Sequence, residues 1–428
     1  MTLILGLLGL ALVAPTAQAS PDPVSGSLDS AFGTNGIVTT QIGSGDSDAG
    51  AVIALGSGRT IAAGVSTDGF VVARYDEHGV LDPGFGTGGI SPPDSFGEIC
   101  DPVCSDRVTS AVLQDGRGIL VAGSSGIGII GRLNFDGSWD GSFGQSFGRA
   151  TVFGSDGVND VAVQRNGKIV VAGYDLFGTG ESRGFVARFG LNGAADPTFA
   201  DHGVFWLTQS RKLGVAPGSS LDSIALQPDG KIVAVGGSYG HSQRMLAIRL
   251  TKAGRLDHAF GSNRNGRVAW LSSAYATHVE LQWNRRVVIA GDSYRHKGFS
   301  NRIVLTRLRQ NGDFDRSFSS DGIATSGLID AFPTDTAIRH GRIAVLGGQL
   351  LGGRLGDTRR RVVLLRYLPD GRLDSSFGGE GVSTHRIGFD ATAVSLAIEP
   401  NSGRLIVAGH SRSTSTAAET FALARFLG

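Results

Sequence analysis

The strongest constraint on the fold is a four-residue pattern, Asp-x-x-Phe, that occurs seven times along the 428-residue chain. Two further segments recur with the same period: an apolar run closed by glycine, such as KIVVAG, and a run that carries an arginine, such as FVARF. A fixed period of this length indicates a supersecondary unit that buries its apolar faces against neighbouring copies of itself. Successive phenylalanines of the pattern are 53, 58, 56, 61, 58 and 59 residues apart, at Phe32, Phe85, Phe143, Phe199, Phe260, Phe318 and Phe377.

Each repeat contains four short runs that are rich in Val and Ile and bounded by Gly, Asp or Asn, which is typical of β-strands. No stretch shows sustained helical periodicity, and the 66 glycines suit many tight turns. Several runs are apolar on both faces, as expected for a sheet that packs between two other sheets. The sequence therefore predicts an all-β fold, a seven-bladed β-propeller with four antiparallel strands per blade.

The two ends of the repeat array are incomplete in complementary ways. The array begins with SLDSAFGTNGIVTT, the last part of a repeat, and finishes with FALARFLG, a repeat without that part. We therefore expect strands from both termini to complete one blade, which leaves the ring without an open sheet edge.

The first twenty residues differ from the repeats. An apolar run ends before the pattern Ala17-Gln18-Ala19, which predicts a signal peptide over residues 1–19 and a propeller over 20–428. A membrane anchor is the alternative, although the run is shorter than the ~20 residues that a span needs. We expect an exported protein, located in the periplasm, at the cell surface or outside the cell. In that setting Cys100 and Cys104 are expected to form a local disulfide.

The combination of DGKIVVAG, then ARY, then G-x-LD-x-x-FG-x-x-G resembles the Delta-60 repeat of exported bacterial proteins. The resemblance covers nearly all of the chain after residue 19, and it implies a propeller without implying any activity. Single repeats depart from the pattern: Trp139 and Ala195 replace Leu before the Asp, and Ala200 and Ser319 replace Gly after the Phe. These departures are expected to weaken individual turns.

A constant step of eight residues separates the strand arginine from the Asp in six of the seven patterns, and the remaining Arg425 and Asp29 lie at opposite ends of the chain. Residues so spaced across a hairpin lie nearly opposite each other, so we expect an ion pair in every blade. A ring of binding charges is the alternative, but a buried charge that recurs in each blade needs a partner. The expected pairs are Arg74–Asp82, Arg132–Asp140, Arg188–Asp196, Arg249–Asp257, Arg307–Asp315, Arg366–Asp374 and, across the termini, Arg425–Asp29.

Acidic residues also recur just before the first strand of several repeats. Because the first strand of a propeller blade lines the central channel, these acids could meet at one channel mouth and hold a calcium ion. The alternative is that each Asp caps its own turn by bonding the local backbone. The residues concerned are Asp48, Asp106, Asp156, Asp330 and Asp390.

Three basic insertions occupy the same connection in successive repeats, where loops on a rigid scaffold commonly bind ligands. They suit an acidic glycan or an anionic surface, with ordinary solvated loops as the alternative. The candidate binding residues are His241, Arg244, Tyr294, Arg295, His296, Lys297, Arg354, Arg359 and Arg360.

Composition excludes some classes of protein but does not identify the ligand. The net charge of +1 lacks the basic surplus of nucleic-acid-binding proteins, and no segment after residue 19 is apolar enough to span a membrane. We expect a monomeric binding or interaction scaffold for a glycan or protein partner. The alternatives are a lyase or hydrolase that acts on a polysaccharide at the channel mouth, and a structural protein of the cell surface.

Overall fold

A computed structural model describes residues 24–94, 106–144, 148–176, 182–207, 218–239, 243–294, 301–351 and 359–428. The predicted signal peptide, both cysteines and five loop candidates (His241, Arg295, His296, Lys297 and Arg354) lie outside these ranges. Within them the chain forms 27 strands and no helix, so none of these residues belongs to a helix that could cross a membrane.

The strands form seven antiparallel sheets, and the predicted seven-bladed propeller is confirmed. In order from the channel outwards, blade 1 contains β2 (Ser47–Ala54), β3 (Thr60–Ser66) and β4 (Gly69–Tyr75); blade 2 contains β5 (Arg107–Gln114), β6 (Gly118–Ser124), β7 (Gly128–Leu133) and β8 (Arg149–Val152); blade 3 contains β9 (Gly157–Val163), β10 (Ile169–Leu176), β11 (Ser182–Phe189) and β12 (Val204–Trp206). In the same order, blade 4 contains β13 (Ser219–Leu226), β14 (Ile232–Tyr239), β15 (Gln243–Leu250) and β16 (Arg267–Ser272); blade 5 contains β17 (Ala274–Leu281), β18 (Val287–Tyr294), β19 (Asn301–Leu308) and β20 (Ile323–Thr325). Blade 6 contains β21 (Ala331–Arg339), β22 (Arg342–Leu350), β23 (Arg360–Tyr367) and β24 (Val382–His385), and blade 7 contains β25 (Asp390–Ile398), β26 (Leu405–Arg412), β27 (Thr420–Phe426) and β1 (Ile37–Thr40).

Blade 7 joins the two ends of the chain. Strand β1 pairs antiparallel with β27, from Ile37 opposite Ala424 to Thr40 opposite Phe421. In blade 1 the outermost strand is reduced to two bridges, Ala73 with Ile90 and Phe70 with Asp94. Every blade therefore has four antiparallel segments.

The hydrophobic core lies between the blades, in seven clusters that each combine residues of two neighbouring sheets. The seven pattern phenylalanines are fully buried in these clusters or beside them. Each lies under a turn glycine of the following blade. At Gly312, where φ is +89°, an added Cβ would lie 3.0 Å from the Phe260 ring. The glycine of the repeat thus permits close blade-to-blade packing as well as a left-handed turn.

Candidate functional site

The seven arginine–aspartate pairs lie at the blade interfaces. In each pair Nε of the arginine lies 2.7–2.9 Å from Oδ2 of the aspartate, including Arg425 with Asp29 across the chain ends. Each arginine also donates from Nη1 to an acceptor in the following blade; Arg425, for example, donates to the carbonyl of Glu77. The guanidinium of each of the seven arginines lies 4.6–4.8 Å from the centre of a pattern Phe ring. These charges are satisfied within the protein and do not present a ligand-binding ring.

No three of the five acids considered for a calcium site come together. Asp48 Oδ1 lies 3.0 Å from Nδ1 of His410, and Asp390 Oδ1 accepts a hydrogen bond from the backbone N–H of Arg360. Asp156 accepts one from the N–H of Leu176. None of the five lines the central channel, and the part of the chain that the structure describes holds no group of three metal-ligating side chains.

Four of the candidate loop residues are described. Arg244 and Tyr294 are exposed at blades 4 and 5, and Arg359, just before β23 of blade 6, lies 5.9 Å from the Phe389 ring. Arg360 donates to the Thr392 hydroxyl at 3.1 Å. These residues therefore lie on the neighbouring blades 4, 5 and 6.

The innermost strands of the seven blades enclose a channel cavity of about 670 Å³. Each of these strands carries a β-bulge at the same level. A bulge redirects the side chains beside it, and here the position after the bulge mostly carries a polar residue. The seven residues are Ala51, Ser110, Asp160, Ser223, His278, Asp335 and Ser395.

These residues after the bulges form what we call the channel ring, and most of them bond to the next blade. Asp160 accepts hydrogen bonds from the Ser110 hydroxyl at 2.9 Å, the Ser223 hydroxyl at 3.0 Å and the N–H of Ile224 at 2.9 Å. Burial nevertheless raises the pKa of Asp160, because these bonds only partly offset the loss of solvation. The channel ring joins neighbouring inner strands by polar contacts that the apolar core does not supply.

His278 and Asp335 form the charged part of the channel ring. Nδ1 of His278 lies 3.2 Å from Oδ1 of Asp335, and Nε2 lies 3.8 Å from Oε1 of Glu280. Burial lowers the pKa of His278, but attraction to the carboxylates of Asp335 and Glu280 outweighs it and raises the pKa to about 9. This imidazole is therefore a cation at neutral pH and balances the neighbouring carboxylates.

Next to the channel ring, blades 4 and 5 contribute a group of hydroxyl and carboxyl side chains. The Ser220 hydroxyl lies 2.9 Å from Asp222 Oδ2, 3.0 Å from the Tyr239 hydroxyl and 3.2 Å from the Tyr275 hydroxyl. The two tyrosine rings stack with centroids 5.9 Å apart. Asn159 of blade 3 donates to Asp222 Oδ1 at 3.0 Å, so three blades meet here.

The same group extends to blade 5 through Tyr294, which is hydrogen-bonded to Asp292. Tyr239 and Tyr294 are 38% and 40% exposed, whereas Asp292 is buried. We call these six residues, Ser220, Asp222, Tyr239, Tyr275, Asp292 and Tyr294, the tyrosine cluster. It presents two aromatic side chains to solvent above a floor of carboxyl and hydroxyl groups.

Of this cluster, only Tyr294 was among the residues predicted from the sequence. The tyrosine cluster depends on Gly237, because a Cβ at that position would lie 2.6 Å from the Tyr275 ring. Blade 4 carries VAVGGSY at this point; a second glycine also occurs in AVLGGQL of blade 6, but only blade 4 follows it with a tyrosine. The channel ring also had a signal in the sequence. In aligned inner strands such as NDVAV, THVEL and TDTAI, the second residue is Asp or His.

Asp222 predicts a measurable pH dependence. Burial raises the pKa of Asp222 to about 7, and hydrogen bonds from Tyr275 and Ser220 lower it only in part. Between about pH 4 and 7 the folded state therefore keeps a proton that the unfolded state releases. The contribution of Asp222 to the free energy of unfolding is fully present below pH 4. It falls as pH rises towards 7, by up to about 1.4 kcal/mol per pH unit.

The Asp222→Asn variant should lose this component, since asparagine does not titrate. Urea unfolding at pH 4.5, 5.5, 6.5 and 8 should show the wild type losing stability relative to the variant as pH rises. Asp201→Asn is a suitable control, because the Asp201 side chain is 90% exposed. Parallel pH profiles for wild type and Asp222→Asn would contradict the assignment.

Comparison with known proteins adds a family match. The family model described as "Domain of unknown function (DUF5122) beta-propeller" matches residues 164–199, 227–260, 282–318 and 341–377. Each matched segment begins at or near the end of an inner strand and finishes at or next to a pattern Phe. No curated protein matches the chain.

Solved structures that resemble the chain are distant. An ulvan lyase, a polysaccharide lyase bound to -[GlcA(1-4)Rha3S]-, is 12% identical, with 89% of this chain and 95% of that chain covered and a TM-score of 0.49. Virginiamycin B lyase from Staphylococcus aureus is 10% identical over 91% of this chain and 98% of that chain, with a TM-score of 0.43. Drosophila Plexin A is 7% identical over 89% of this chain and 88% of that chain, with a TM-score of 0.45. At these levels no argument about function rests on the likenesses, and the firm comparison is the match of four repeats to a β-propeller family of unknown function.

Proposed function

We propose that the protein is an exported binding scaffold that holds a glycan at the channel mouth, on the tyrosine cluster. The observation that carries the proposal is the convergence of two exposed tyrosines on buried carboxyl and hydroxyl groups from adjacent blades. An aromatic side chain offers an apolar face together with a polar tip, which suits a ligand that is apolar on its ring faces and hydroxylated at its edges. Carboxylates beside such rings accept hydrogen bonds from hydroxyl groups.

The position of the tyrosine cluster in the fold supports a role in glycan binding. Tyr239 and Tyr294 are the last residues of β14 and β18, so regular strands hold them beside the channel. Sites on strands are positioned more precisely than sites on loops. Asp222 also lines the channel cavity, which connects the tyrosine cluster with the interior.

A second candidate function is hydrolysis or elimination on a polysaccharide at the same place. The specific observation that favours it is the pKa of Asp222, which burial raises to about 7, near the value suited to proton transfer at neutral pH. The two functions differ in outcome: an enzyme would shorten a bound polysaccharide, whereas a scaffold would release it unchanged.

Glycan-array binding by the protein lacking residues 1–19 tests the proposal. We expect Tyr239→Ala and Tyr294→Ala each to weaken binding about tenfold, through the loss of one aromatic contact. Trp283→Ala is the matched control, because Trp283 is 87% exposed at the opposite end of β18 and should not matter. Equal binding by all three variants, or no binding to any glycan, would refute the glycan proposal.

A further inference from the structure

Four glutamines occupy equivalent positions at the ends of the inner strands of blades 2 to 5. In blade 2, Gln114 donates to the Gly167 carbonyl of blade 3 at 2.9 Å and accepts from Arg132 at 2.9 Å. In blade 5, Gln282 donates to the Gly341 carbonyl of blade 6 at 3.2 Å and accepts from Arg307 at 3.2 Å. At these two positions the glutamine bridges neighbouring blades.

The equivalent glutamines of blades 3 and 4 do not make these bonds. Gln227 is only 4% exposed, yet neither its Oε1 nor its Nε2 has a hydrogen-bond partner among the described residues. Oε1 of Gln164 is likewise buried and unpartnered there. Buried polar groups in native proteins are almost always hydrogen-bonded. The amide of Gln227 and Oε1 of Gln164 therefore leave hydrogen-bonding capacity that no described residue fills.

A cavity of about 610 Å³ lies at this interface, between the turns of blades 3 and 4. Its volume is in the range of small-molecule sites. Both glutamines line it, together with Arg165, Lys168, Arg188 and Lys252. Lys168 and Arg188 share the carboxylate of Asp196, each at 2.7 Å, so the positive charge available to a ligand comes mainly from Arg165 and Lys252, which are exposed.

We propose that this cavity, the blade 3/4 cavity, binds a small carboxylate that also carries hydroxyl groups, the class that includes uronic acids. The cationic side chains attract the carboxylate, and charge-assisted hydrogen bonds to it are strong. The amide of Gln227 offers both donors and an acceptor, which matches hydroxyl groups of the ligand. The cavity lies at the start of β14 and the tyrosine cluster at its end, so the two sites are on opposite faces. The inference is independent of the proposed glycan site.

Isothermal titration calorimetry with D-galacturonate and D-galactose provides the test, because the two sugars differ only in the carboxylate at C6. The wild type should bind galacturonate at least about tenfold more tightly than galactose. Gln227→Leu and Lys252→Ala should each weaken galacturonate binding about tenfold. Arg255→Ala is the matched control, since Arg255 is exposed in the same turn as Lys252 but does not line the cavity.

Thermal unfolding of the glutamine variants separates binding from structure. Gln282→Leu removes bonds between blades and should lower the midpoint, whereas Gln227→Leu removes an unpaired buried amide and should leave the midpoint unchanged or raise it. The proposal is overturned if galacturonate does not bind, if galactose binds equally well, or if Arg255→Ala weakens binding as much as Lys252→Ala. It is also overturned if Gln227→Leu lowers the midpoint as much as Gln282→Leu, because Gln227 would then be bonded within the protein.

Discussion

Replacing Asp29 with alanine should lower the free energy of unfolding by about 3–5 kcal/mol, the range seen when one partner of a buried ion pair is removed. Asp29 is 6% exposed and Arg425 is 3% exposed, so the variant leaves a buried guanidinium with only the more distant carboxylate of Glu399, 3.5 Å from Nη1. Asp29 also lies 2.9 Å from Nε of Arg404, which makes the carboxylate the shared partner of two cations. Urea unfolding monitored by tryptophan fluorescence measures the change.

Two further variants make this test specific. Asp315→Ala breaks the corresponding pair within blade 5, where Asp315 and Arg307 are 1% and 2% exposed, and should cost a similar amount. Arg372→Ala removes an arginine whose side chain is 77% exposed in its pair with Asp370, and should change stability by less than about 1 kcal/mol. A thermal midpoint of Asp29→Ala within a degree of the wild type would show that the pair across the chain ends does not stabilise the ring.

Replacing Phe260 with alanine should cost about 3–5 kcal/mol, the usual penalty for truncating a buried phenylalanine. Its ring is fully buried and lies against the guanidinium of Arg249, 4.7 Å from the ring centre, and beneath Gly312 of the next blade. Alanine would leave a cavity that rigid strands on both sides cannot fill. The loss should appear as a lower denaturation midpoint with a similar dependence on urea concentration.

Phe153→Ala is the control for this prediction, because Phe153 is 95% exposed in blade 2. It should shift stability by no more than about 0.5 kcal/mol. If the two phenylalanine variants unfolded at the same urea concentration, the pattern Phe would not be the packing residue between blades that the structure indicates.

The parts of the structure that were predictable depend on contacts within one repeat. Arg74 and Asp82 lie in a single hairpin, so their separation of eight residues constrains their distance before any blade is placed. Repetition strengthened that inference, because six copies of one spacing are hard to explain without a common contact. The signal peptide and the disulfide between Cys100 and Cys104 stay predictions, since they lie outside the described residues.

The candidate sites were harder to predict because they combine residues from different repeats. Asp222 and Tyr275 are 53 residues apart and meet only after blades 4 and 5 have packed. The five acids before the first strands shared a position in the repeat, which suggested a cluster, but three of them make local contacts: Asp48 with His410, Asp156 with Leu176 and Asp390 with Arg360. A common position in a repeat therefore does not establish a common site.

The repeat by itself was sufficient to establish the number of blades, the order of the strands and the Arg–Asp pairing, because these follow from local spacing and from the need to bury both faces of each sheet. The join between β1 and β27 also followed, from the complementary incomplete ends. Only the tertiary structure decided which polar residues face the channel, where the tyrosine cluster forms and which glutamines are left unpaired. Those features depend on bulges and on packing between blades. A single residue such as Gly237 decides which side chain of the next blade can pack beside it, because a Cβ there would collide with the Tyr275 ring.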